Sequence, residues 1–188
     1  MLYHVSPNAG LKTLYPRVST HKKAYVYAIE NMVTGLLFGA KHDDFDFMIS
    51  TDENDIPTVY ECYPDAFKNI YQGKSCSVYV VEDEGFQRGL TSWSEELVCD
   101  SEVTVQKEIV VSDLYERLIE EESLGNLKIC RYEFNDEYRK NISAHIVDRL
   151  IRFEIDLNHC FNLDNRFAAH YKGIVEGLLT ITDGHLLK

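Results

Sequence analysis

Three kinds of side chain in this 188-residue sequence can do chemistry together, and they occur in a telling order. His4 lies in Leu2-Tyr3-His4-Val5-Ser6, which ends at Pro7; Tyr25 and Tyr27 alternate with Val26 and Ala28 in Ala24 to Ile29; Glu96 opens Glu96-Leu97-Val98-Cys99. An imidazole titrates near neutral pH and can donate or accept a hydrogen bond. An aromatic face attracts a cation or another flat ring, and a fixed carboxylate stabilises positive charge that develops beside it. Taken singly, each residue also has a structural reading: His4 as a buried, hydrogen-bonded residue near the start of a sheet, Tyr25 and Tyr27 as core filler.

The elements that must position these residues can be read from pattern. Leu2 to Val5 reads as a strand closed by the Pro7-Asn8-Ala9-Gly10 turn. Leu11 to Thr20 has no clear period and reads as an exposed connection. Ala24 to Ile29, rich in Tyr and Val, is a strand with Tyr25 and Tyr27 on one face. Glu30-Asn31 then caps a short helix through Phe38 that buries Met32, Leu36 and Leu37 and stops at Gly39. A hairpin follows, Phe45 to Ser50 and Thr58 to Tyr63 around the acidic turn Thr51 to Asp55. That turn lacks the spacing, Gly and closing Glu of a calcium loop. Asp65 to Tyr71 is a helix, Ser75 to Val81 a strand, and Glu82 to Trp93 a loop. Glu96 to Cys99 and a single alternating run, Val103 to Val111, are the last strands.

After Ser112 the period changes from two to that of helices. Ser112-Asp113 starts one helix with Leu114 and Leu118 on its stripe and Gly125 at its stop. A second follows Asn135-Asp136, with Tyr138, Ile142, Ile146, Leu150 and Phe153 in line, and a third follows Asn162. Strands first and helices last predict an α+β fold, with a sheet domain over residues 1–111 and a helical extension over 112–188 packed on it or on a second copy.

Composition narrows the function. Nineteen Lys and Arg against 31 Asp and Glu leave a net charge of −12, which disfavours nucleic acid as a general partner. The five cysteines are odd in number and contain no C-x-x-C pair, so reduced thiols in a cytoplasmic setting are expected rather than a zinc cage or a disulfide framework. His145, His159 and His170 are read as structural or surface residues, and no metal site is expected. The start shows no basic segment followed by an apolar run, so no secretory leader is expected; no run is apolar enough to span a membrane. There is no G-x-S-x-G elbow, H-E-x-x-H helix, P-loop or G-x-G-x-x-G turn.

The strands carrying His4, Tyr27 and Glu96 resemble the three motifs of the His-Tyr-Glu class of ADP-ribosyltransferases. The resemblance covers approximately residues 2–111. It implies two small facing β-sheets around an NAD cleft. It also implies NAD as co-substrate, nicotinamide release, and transfer of ADP-ribose to an unknown acceptor or to water. By the same resemblance His4 bonds the adenosine ribose, the Val5 backbone clasps the nicotinamide amide and Ser6 assists. Tyr27, with Tyr25 on its face, stacks the nicotinamide, and Glu96 stabilises the oxocarbenium-like transition state, with Glu102 in reserve. The family usually has Gly where Val5 stands. Arg88, Trp93 and Ser94 fall in the stretch that recognises the acceptor. Transferases to arginine often carry a second Glu where Ser94 stands, which argues against an arginine acceptor. Two alternatives stay open: a catalytically inactive nucleotide-binding or interaction protein of the same fold, and an NAD-dependent RNA 2′-phosphotransferase, which needs several Arg that the motif stretches lack.

Overall fold

A computed structural model of the chain describes residues 1–18, 23–42, 46–91 and 93–152. The expected helix after Asn162, together with Phe153, His159, Cys160 and His170, lies outside the described residues, as do Phe45 and His21-Lys22. The fold is mixed α+β.

Its strands are β1 (Leu2–Ser6), β2 (Thr13–Leu14), β3 (Arg17–Val18), β4 (Ala24–Ile29), β5 (Phe47–Thr51) and β6 (Pro57–Glu61), then β7 (Cys76–Val81), β8 (Gln87–Arg88), β9 (Glu96–Cys99), β10 (Val103–Thr104), β11 (Lys107–Val111) and β12 (Lys128–Cys130). The helices are α1 (Met32–Leu36), α2 (Ala66–Tyr71), α3 (Leu114–Ser123) and α4 (Asp136–Arg152). A seven-stranded sheet has the order β11-β7-β1-β4-β9-β8, with β3 beside β4, and β10 pairs with β2. The registered neighbours in these sheets are antiparallel.

The chain divides into two compact units. Among the described residues the first takes 1–18, 23–42, 52–57, 70–91 and 93–128. The division does not fall after Val111: α3 stays with the strands, because Leu114 and Leu118 are fully buried and the Leu114 N–H donates to the Lys74 carbonyl (2.8 Å). Alternation sorts the long sheet into two faces. On one, Leu2, Val26, Ala28, Tyr79, Val81 and Leu97 form a core that Leu14 and Val103 of the β2–β10 pair help to close.

Helix α1 packs on the other face. Asn31 caps it, its Oδ1 accepting the N–H groups of Val33 (2.9 Å) and Thr34 (3.2 Å). The Gly35-x-x-x-Gly39 spacing has a packing cause. A Cβ on Gly35 would meet methyls of Ile29 (3.1 Å) and Val5 (3.2 Å), and one on Gly39 would meet Cys76 Sγ (2.8 Å) and Leu114 Cδ2 (2.9 Å). Gly39 is therefore required by its neighbours, not as a left-handed helix stop.

The second unit, 46–51, 58–69 and 129–152 among the described residues, carries a three-stranded sheet of order β12-β6-β5. Its anchor is Glu61, buried at the end of β6, whose carboxylate accepts the N–H groups of Phe67 and Tyr132 (2.9 Å each). The Tyr138 hydroxyl donates to the Glu61 carbonyl (3.0 Å), and burial holds its pKa above the ordinary tyrosine value. Ile142 and Ile146 of α4 are buried as the stripe requires.

Three departures from the pattern reading share one cause, pairing that local sequence does not encode. Val103 to Val111 is two strands, because Val103 and Thr104 pair with β2 while Lys107 to Val111 pair with β7. The connection after Leu11 holds β2 and β3, and the loop after Glu82 holds β8. The acidic turn binds its own backbone: Asp52 Oδ1 accepts from Asn54 N (2.8 Å) and Ile56 N (3.0 Å).

Candidate active site

The site begins where two neighbouring strands part. β1 pairs with β7 through five residues, Leu2 to Ser6, but with β4 through one registered pair, Tyr3 with Ile29. Continued register would set His4 opposite Ala28 and Val5 opposite Tyr27; instead the His4 side chain reaches across, its Nδ1 2.7 Å from the Tyr27 carbonyl. A carbonyl oxygen only accepts, so Nδ1 carries the hydrogen and Nε2 of the neutral ring is left as an acceptor. Burial lowers the His4 pKa; the Tyr27 carbonyl pulls it up and Arg17 adds a smaller push down. His4 is thus a neutral imidazole of fixed tautomer at pH 7.

The gap opens into a cavity of about 260 Å³ lined by Tyr3, His4, Val5, Tyr27, Glu96 and Trp93, with Ala28, Ile29, Gly35 and Phe38 completing the wall. Register explains the meeting of Tyr27 and Glu96, whereas His4, in the Tyr79 row of the opposite face, reaches the cavity through the gap between the strands. Ile29 lies opposite Tyr3 on one side and Glu96 on the other, and Tyr27 is two residues from Ile29, so Tyr27 and Glu96 share a sheet face. The Glu96 N–H donates to the Trp93 carbonyl (3.3 Å), which folds the end of the preceding loop back onto the start of β9. The Trp93 ring packs on Phe38, centroids 5.3 Å apart.

Other candidates are not in the cavity wall. Tyr25 is buried and meets the Tyr27 ring edge to face (6.1 Å, 84°), with Lys23 Nζ 4.8 Å from its centroid, so it backs Tyr27. Ser6 Oγ accepts the Asn8 N–H (3.2 Å) and closes the turn after β1. Arg88 donates to the Ser94 carbonyl (2.8 Å) and pairs with Glu30 (2.9 Å), bracing the loop from outside. The Ser94 hydroxyl lies 3.4 Å from Glu95. Glu102 is exposed in the turn before β10.

Tyr3, Ala28, Ile29, Gly35 and Phe38 are the lining residues that pattern reading did not assign to the site. Phe38 is a large apolar side chain that stands 43% exposed just after the buried Leu36 and Leu37. Among the described residues no group of His, Cys, Asp or Glu could hold a metal ion, and no helix is long and apolar enough to cross a membrane. Compared with protein-family models, curated proteins and solved structures, the chain has no significant match.

Proposed function

We propose that the cleft between β1 and β4 takes the nicotinamide end of NAD, breaks its N-glycosidic bond and passes ADP-ribose to an acceptor or to water. The observation that carries this reading is that His4, Tyr27 and Glu96, from three strands far apart in sequence, line one cavity. In this reading the two halves of the split sheet, β11-β7-β1 and β4-β9-β8, serve as the two facing sheets of an ADP-ribosyltransferase-like cleft. Nicotinamide leaves with the bonding electron pair, the acceptor oxygen or nitrogen bonds to the ribose carbon, and the acceptor's proton is released.

Each residue suits its part on physical grounds. The Nε2 acceptor of His4 takes a ribose hydroxyl, and the Val5 backbone takes the amide. The Tyr27 face suits a cationic pyridinium. The Glu96 carboxylate stabilises positive charge that appears only as the bond breaks. The cavity is just below the roughly 300–1,000 Å³ of small-ligand pockets, a fit for one half of a dinucleotide. A second reading, binding without cleavage, uses the same cavity. An RNA 2′-phosphotransferase is less apt, since no Arg is among the described lining residues. The proposal includes a cytoplasmic setting with reduced thiols and no general nucleic-acid partner; self-association through the carboxy-terminal helices stays an alternative to their packing within one chain.

Titration calorimetry with NAD tests the binding half. Tyr27→Leu is expected to weaken binding roughly tenfold, the loss of a partly desolvated cation–π contact, while Tyr25→Phe keeps most of it. An NAD-inert wild type, or equal affinities in wild type and Tyr27→Leu, would remove the proposal.

A further inference from the structure

We infer that Tyr79, oriented by Glu108, is a positioning residue for His4. This rests on the reading of the cleft given above. Cross-strand register sets His4 opposite Tyr79 and Tyr79 opposite Glu108, one row over β1, β7 and β11 on a single sheet face. The fully buried Tyr79 ring flanks the His4 ring, centroids 6.2 Å apart and planes tilted by 35°. His4 is therefore held on two sides, by the Tyr27 carbonyl at Nδ1 and by Tyr79 at its flank.

Tyr79 is itself tethered beyond what its packing needs. Its hydroxyl donates to the Asn8 carbonyl (2.6 Å), accepts the Leu11 N–H (3.2 Å) and lies 3.2 Å from Glu108 Oε1. The same carboxylate oxygen accepts the Gly10 N–H and the Ser77 hydroxyl, 2.8 Å each. These bonds tie the turn that follows β1 to the ring beside His4. Three strands thereby fix one imidazole, the kind of support that keeps a functional group within a fraction of an ångström of its working position.

The test reads the His4 ring directly, by ¹⁵N NMR of the NAD-free full-length protein well above the histidine pKa, beside NAD affinity. Wild type is expected to show a single Nδ1–H tautomer at His4. Tyr79→Leu should show a tautomer mixture and bind NAD roughly tenfold more weakly, through misplacement of His4. Tyr79→Phe, which keeps the ring, should fall between them. Glu108→Gln should lose about threefold, the value of a weakened hydrogen bond. A wild-type tautomer and wild-type affinity in Tyr79→Leu would overturn the inference. Should Tyr79→Leu fail to fold, the same result in Glu108→Gln, a partly exposed position, would overturn it. Absence of NAD binding by wild type would count against the cleft reading alone, since the tautomer measurement needs no NAD.

Discussion

On the proposed reading, the neutral imidazole of His4 makes NAD binding depend on pH in a definite direction. Its Nε2 accepts a hydroxyl only while unprotonated, and burial sets its pKa below the ordinary value of about 6.5. NAD affinity is therefore expected to be flat from alkaline pH down to about 6.5 and to fall only below it. Folding stability has the same sign: between the ordinary and the lowered value the unfolded chain binds more protons, so stability declines as pH drops through that window. Calorimetry across pH checks the first expectation, and an affinity that rises on acidification would contradict it. Among the described cysteines, Cys76 has its thiol pKa pushed up to about 11 by burial. It should resist alkylation at neutral pH in the native state and react once the protein is unfolded.

The decisive element is α1 with the turn that follows it, because Gly35 in the helix and Gly39 after it set how closely this segment lies on the sheet. Gly39→Ala would place a methyl 2.8 Å from Cys76 Sγ and 2.9 Å from Leu114 Cδ2, and is expected to cost about 1–3 kcal/mol as an overpacked contact. Urea unfolding measures this; a neutral or stabilising effect would mean that the helix has slack. Gly35→Ala presses on Ile29 and Val5, both in the cavity wall, and so should also lower NAD affinity. Strands whose residues alternate over a full face are legible in the sequence. Ala24–Ile29 and Glu96–Cys99 are found with the bounds that their Val, Tyr and Leu content implies. The two-residue strands β2, β3 and β8 are not legible, since a pair of residues becomes a strand only through its partner. The same limit governs the site. The series His4, Tyr27, Glu96 can be read from types and order, whereas the parting of β1 from β4 and the arrival of Phe38 depend on register and helix placement.

At the scale of the whole molecule, strands and helices do not divide into successive domains; the chain passes between two compact units more than once. In the second unit one buried carboxylate, Glu61, accepts backbone N–H groups from two separate segments. Glu61→Ala would leave the Phe67 and Tyr132 N–H groups without their acceptor and is expected to cost about 3 kcal/mol in urea unfolding. The net charge of −12 and the acidic turns suit a small co-substrate held in a local cleft better than a polyanion spread over the surface. Nicotinamide release from NAD by the purified protein, measured beside Glu96→Gln and Glu102→Gln, tests the central claim most directly. Release that falls roughly 10²–10³-fold in Glu96→Gln and persists in Glu102→Gln is the predicted result. Release unchanged by Glu96→Gln, or absent from the wild type, would contradict it.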